Sequence, residues 1–95
     1  MIRLSILYPK GEDTTFDFEY YKQKHIPLAV STFGVQGAEI DKGVDGPYVA
    51  AAHFLFESAE ALGAAMSPDK AGPLMADIPN YTNSQPSVQV SEIIS

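Results

Sequence analysis

Two histidines and five tyrosines are the groups in this sequence best suited to moving a proton or holding a developing oxyanion near neutral pH. His25 follows Tyr21 by one helical turn and precedes Pro27 by two residues. An imidazole in an apolar pocket titrates near ambient pH, so His25 is the candidate proton carrier, with Tyr21 or Tyr81 orienting a substrate or stabilising charge on oxygen. The same spacing fits a plainer arrangement, a core-edge histidine satisfied by the carbonyl that Pro27 leaves free. His53 sits among Val49, Ala51 and Leu55 in an alternating stretch. That places it across a strand from His25, which argues against a two-histidine metal site, and an interface hydrogen bond is expected for it instead.

The rest of the composition narrows the chemistry. Ninety-five residues suffice for one domain spanning 1–95. The absence of Cys excludes disulfides, thiolate zinc sites and cysteine catalysis. A net charge of −6 with only six basic residues provides no cationic stripe, so nucleic acid is a poor partner. No long apolar run or secretory leader is seen, so no membrane association is expected and a cytoplasmic location is the default. There is no Gly-rich phosphate loop, nucleotide fingerprint, serine elbow or acidic metal cluster, and Glu39 and Asp41 read as solvated. Any chemistry is expected to run without a metal or a tightly bound cofactor.

Residues 2–8 alternate as a strand, with Ile2, Leu4, Ile6 and Tyr8 on one face. Asp17 caps a helix that Gly34 closes, and Pro27 should kink it near His25. A weaker strand is expected over 35–44 and the strongest over 48–56. Ser58 caps a short helix over 59–66, and Ser67-Pro68 and Gly72-Pro73 divide the next stretch into one or two short helical pieces. Residues 78–82 read as loop and 87–94 as a last strand. The order β-α-β-β-α-β gives an α+β, ferredoxin-like fold with an antiparallel sheet and both helices on one face.

The side facing the helices collects Ile2, Leu4, Ile6, Tyr8, Tyr48, Phe54, Phe56, Val88 and Val90. The small side chains of Ala50 and Ala52 either pack tightly there or leave a pocket for a small apolar molecule, bounded by Tyr8, Tyr48, Phe54 and the Tyr21/His25 face. Asn80 and Tyr81 would lid it. The other side mixes Arg3, Ser5, Leu7, Val49, His53, Leu55 and Gln89. It is too apolar to leave in water and too polar for an ordinary core, so it should pair with its own copy as a homodimer, with His53 and Leu55 in the interface.

Several segments resemble the EthD family, named from ethyl tert-butyl ether degradation. They are Ser5-Ile6-Leu7-Tyr8-Pro9, Phe16-Asp17, Tyr20-Tyr21 with Lys24-His25-Ile26-Pro27-Leu28, Ala76-Asp77-Ile78-Pro79-Asn80-Tyr81-Thr82, and the ending Val88-Gln89-Val90-Ser91-Glu92. The resemblance implies a dimeric α+β barrel with a pocket in each subunit. It places the family's recurrent His at His25 and its Pro-Asn-Tyr segment at Asn80 and Tyr81. It implies a degradation-pathway protein acting on a small hydrophobic molecule without a tightly bound cofactor, by oxidoreductase-type or isomerase/cyclase-type chemistry. A binding or accessory protein for a partner monooxygenase is the alternative, and a purely structural or regulatory dimer a third.

Overall fold

The computed structural model describes residues 1–94 and builds its sheet outward from Ile2–Pro9 (β1). This strand pairs antiparallel with both Tyr48–Phe56 (β3) and Ser87–Glu92 (β4), and β3 carries the short strand Glu39–Lys42 (β2). The order across the sheet is therefore β2-β3-β1-β4, with β2 and β4 as its edges. Leu4 lies opposite Phe54 and Val90, Ile6 opposite Ala52 and Val88, and Ser5 opposite His53 and Gln89. Because side chains alternate with period two, this register sorts the apolar and mixed sets onto opposite faces, as the alternation predicts.

The first helix is assembled from α1 (Phe18–Tyr20), a π-helical turn (Tyr21–His25) and α2 (Ile26–Phe33). Asp17 caps its start by accepting from the Tyr20 N–H at 3.1 Å. Gly34 ends it with φ +69°, a left-handed conformation that a Cβ would oppose. The kink expected from Pro27 takes the form of the π turn, in which the Ile26 N–H reaches the Tyr21 carbonyl, five residues back. Pro27 cannot donate to the Gln23 carbonyl and its ring would crowd that oxygen; widening the turn just before it accommodates both. The π turn buries Tyr21 and His25 together.

The second helical segment comprises α3 (Ala59–Ala65) and α4 (Pro68–Asp77), followed by a 3-10 turn over Ile78–Asn80. Ser58 caps α3 by accepting from the Ala61 N–H at 3.1 Å. Gly72-Pro73 does not break α4: Pro68 occupies the first turn, where no N–H is needed, and Pro73 forfeits only the bond to the Asp69 carbonyl. Three expectations need correcting. Residues 78–80 form a 3-10 turn and not open loop, residues 35–38 do not join β2, and the last strand ends at Glu92.

Helices cover one sheet face, and the core beneath them contains Leu4, Tyr8, Phe54, Phe56, Ala29, Leu62, Ala65 and Leu74. Val88 and Val90 share that face by register, yet each is 54% exposed because the helices do not cover β4 there. On the other face Leu55 is 43% exposed, while Ser5 and Ala51 are nearly buried among longer neighbours.

The connection from β2 to β3 depends on one glycine. A Cβ on Gly43 would lie 2.0 Å from the Tyr48 carbonyl oxygen, against backbone that cannot swing away. Gly43→Ala is therefore expected to lower stability by about 2 kcal/mol or more, read as a drop in denaturation midpoint. An unchanged midpoint would show that the hairpin is not held in this geometry.

Candidate functional site

The π turn directs His25 toward the end of α4, where its Nδ1 lies 2.9 Å from Asp77 Oδ2. The other Asp77 oxygen receives the Tyr20 hydroxyl at 2.7 Å and the Asn80 side-chain amide at 2.9 Å. On the far side of the ring, His25 Nε2 is 3.3 Å from the Tyr81 hydroxyl, which in turn lies 2.6 Å from the Tyr8 hydroxyl. Tyr21 stacks on His25 at 5.5 Å between ring centres and packs edge-on against the Tyr8 ring at 5.7 Å. Four elements thus converge: β1 supplies Tyr8, the first helix Tyr21 and His25, α4 Asp77, and the segment after the 3-10 turn Tyr81. Phe16 packs edge-on against Tyr8, Tyr21 and Tyr81 and closes the cluster from outside.

Burial governs the electrostatics. It pushes the His25 pKa below its ordinary 6.5, and the Asp77 carboxylate only partly restores it. His25 is therefore neutral at pH 7. Burial also raises the Tyr8, Tyr21 and Tyr81 phenols, so all three keep their protons. For Asp77, burial pushes upward, but hydrogen bonds from Asn80, Tyr20 and His25 outweigh it and hold the carboxyl below its usual range. A neutral imidazole backed by an ionised carboxylate can accept a proton at Nε2 and share the resulting charge through Nδ1.

These shifts predict an acid-sensitive fold. The unfolded His25 binds a proton near pH 6.5 and the folded one resists it, so its contribution is complete above pH 6.5 and lost as pH falls toward the depressed value. The lowered Asp77 pKa adds a second loss below about pH 3.8. Melting temperature should be flat from pH 8 to 6.5 and fall below that, and His25→Gln should flatten the first part of the decline. A wild-type melting temperature that holds or rises between pH 6.5 and 5 would contradict the assignment.

Beside this cluster, between helices and sheet, lies a cavity of about 410 Å³. Its polar end is formed by Tyr8, Tyr21 and His25, and Ser84 and Gln85 lie elsewhere on the wall. Ile6, Ile26, Phe33, Phe54, Leu74 and Ile78 are among the apolar residues that make up most of the rest. Tyr8 and Phe54, anticipated as binding residues, do line it. Tyr48, Ala50 and Ala52 do not: Tyr48 is 38% exposed, and the two alanines are packed shut at 1% and 0% exposure. The cavity lies instead toward β4, beside Ile6 and Val88. Asn80 and Tyr81 do not lid it; they border a separate open groove that also contains Asp17 and Asn83. Tyr81 still touches His25 at Nε2, and Asn80 holds Asp77.

Asp77 is the site residue that sequence reasoning misses. The pointer to it is an acid three positions before Asn80 in the Asp-Ile-Pro-Asn-Tyr segment. His25 is satisfied by this carboxylate and Tyr81, not by a carbonyl beside Pro27. On the opposite sheet face, His53 Nδ1 meets the Ser5 hydroxyl at 2.8 Å and Nε2 meets Asp41 at 3.1 Å. Asp41 is thus engaged, although its side chain remains 63% exposed. His25 and His53 share no hydrogen-bond partner, and among the described residues no three His, Asp or Glu side chains come together as a metal site. No helix among the described residues is long and apolar enough to cross a membrane.

No protein-family model matches the chain, and no curated protein matches it. Solved structures do. An EthD-like protein from Ralstonia eutropha JMP134 is 33% identical and superposes with a TM-score of 0.88 over 99% of this chain and 92% of that one. An EthD family protein from Bacillus halodurans C-125 is 20% identical, with a TM-score of 0.76 and 99% of both chains covered. SnoaB, a cofactor-independent oxygenase from Streptomyces nogalater, is 12% identical with a TM-score of 0.64 over 99% of this chain and 92% of its own, a likeness of fold alone.

Proposed function

Because the chain belongs to the EthD-like family, as 33% identity over 99% of its length shows, we propose that it binds a small, largely apolar molecule in the cavity beside His25 and moves a proton on it. The observation that carries this reading is the meeting of a carboxylate-backed, neutral imidazole with the polar end of an otherwise apolar 410 Å³ cavity. His25 Nε2 takes the proton, Asp77 offsets the charge that appears on the ring, and Tyr21 orients the molecule alongside Tyr8. The anion so formed is the reactive species. It reacts with dioxygen in an oxidoreductase-type route or rearranges in an isomerase- or cyclase-type one, and neither route calls for a tightly bound cofactor. The working unit is a homodimer paired through the sheet face bearing His53 and Leu55. A degradation pathway is its setting, as the name of the family implies.

The test is a panel of small neutral phenols, ketones and ethers screened by thermal shift, with product analysis of every stabilising compound under air and under argon. Turnover that stops without dioxygen identifies the oxidoreductase route, and turnover that continues identifies the other. Stabilisation without any product would overturn the catalytic reading in favour of a carrier serving a partner monooxygenase. A panel that produces no stabilisation at all would overturn both.

A further inference from the structure

Resting on that reading of the cavity, we infer that the site takes an elongated molecule, a small polar head carrying an unbranched apolar tail, and that Val88 and Val90 on β4 form the track along which the tail leaves the cavity. The sheet register supplies the axis. Tyr8 and Ile6 are successive residues on the helix-facing side of β1, and both line the cavity, Tyr8 at its polar end. Ile6 lies opposite Val88, Leu4 opposite Val90 and Ile2 opposite Glu92. From Tyr8 toward Ile2, the helix-facing side therefore passes from the polar end, through the apolar space beside Ile6 and Val88, to Val90 and then to a carboxylate. At about 3.4 Å per residue, each of these steps is about 7 Å.

The cavity is open where it reaches β4. Val88 lines it while half-exposed, and Met75, across from it on α4, is more exposed still. Val90, next along the same face, is again half-exposed, whereas its cross-strand partner Leu4 is completely buried. The uncovered apolar strip is thus one strand wide and continuous with the cavity wall. Its size decides what covers it. A stable protein interface buries about 800 Å² on each partner, and two half-exposed valines beside a methionine supply a small part of that. An alkyl chain matches the strip in width, and the step from Val88 to Val90 holds about five methylenes. Glu92 ends the track, because an apolar tail carried past Val90 would meet an exposed carboxylate that keeps its water.

The experiment measures binding of 4-propylphenol and 4-octylphenol to the intact protein, each below its solubility limit. The phenol head both donates and accepts, so the polar end is served equally by both. A fully buried methylene multiplies affinity about four-fold, and one covered from a single side about two-fold. 4-Octylphenol should therefore bind about thirty-fold tighter than 4-propylphenol. Val90→Asp should reduce that ratio to about three and leave 4-propylphenol within about two-fold of wild type, which also reports that the variant is folded. Val90→Thr, close to valine in shape, should lower the ratio about two-fold and serves where the aspartate variant does not fold. Carbon-13 methyl spectra of the wild type need no variant. Both phenols should shift Ile6, 4-octylphenol alone should shift Val90, and neither should shift Leu55 on the other sheet face.

Equal affinities, a ratio untouched by either Val90 variant, or a Val90 methyl unmoved by 4-octylphenol would each overturn the inference and leave the cavity reading in place. So would a Leu55 methyl that moves with Val90, which would mark non-specific association. A Val90 methyl that moves on dilution of the ligand-free protein would also overturn it, assigning the strip to a second copy. Failure of both phenols to bind, with Ile6 unmoved, would remove the cavity reading and the inference together. Tail-dependent binding without turnover would leave the inference standing and remove the proton-transfer reading.

Discussion

Replacing Leu55 with Asp is expected to dissociate or unfold the protein at micromolar concentration, while the wild type sediments as a dimer at tens of micromolar. The sheet argues for this from both its faces and its edges. One face is roofed by helices, and the other carries Leu55, 43% exposed, among Arg3, Leu7, Val49, Ala51, His53 and Gln89. The edge strands β2 and β4 both lie open, and Val88 and Val90 on β4 are half exposed. Pairing two such faces about a two-fold axis brings Leu55 to or near its own copy, so the substitution sets two carboxylates against each other where water is excluded. Buried charges without partners cost several kcal/mol, which corresponds to a weakening of about a thousand-fold or more. An isolated chain would respond differently. Leu55 lies directly opposite Arg3 across β1 and β3, so a carboxylate introduced there would gain a cation and lose little, shifting stability by no more than about 0.5 kcal/mol. A wild type that sediments as a monomer, or a variant as stable and dimeric as its parent, would remove the sheet-face interface.

Much of the fold was legible because its determinants are local. Asp17, Gly34 and Ser58 mark helix ends through their own side chains or backbone conformation, and each does so in the structure. Alternation sorted the sheet faces because a strand's period of two leaves no other choice. Pro27 announced a distortion but not its form, since a kink and a π turn both relieve the same missing bond. The site was harder to read. His25 and Tyr21 share a turn and could be paired on sight, but Asp77 lies 52 residues from His25 and meets it only after α4 has packed. The alanines misled for a related reason. A small side chain leaves room only if nothing else takes it, and the core closes over Ala50 and Ala52. The space appears instead beside Ile6 and Val88, with Leu74 and Ile78 also on its wall, and no sequence spacing encodes that separation.

The largest effect expected on chemistry is from His25→Ala, which should lower turnover of an accepted substrate by roughly 10²–10⁴, the usual contribution of a positioned general base. The same change removes one partner each from Asp77, at Oδ2, and from the Tyr81 hydroxyl, so some loss of stability is expected as well. Chemistry and packing are separable by measuring ligand affinity and melting temperature beside rate. His25→Gln keeps shape and hydrogen bonding and should bind within a few-fold of wild type while losing the rate. Wild-type activity should be full at neutral pH and fall on acidification through an apparent pKa below 6.5, because burial disfavours the imidazolium that would block the base. Asp77→Asn should lower the rate less than removal of the base does. It should also move the acid limb to still lower pH, since the carboxylate is what supports the charged ring against burial. Turnover equal in wild type and His25→Ala would end the assignment of His25. An acid limb unmoved in Asp77→Asn would show that Asp77 holds the ring in place without tuning its charge.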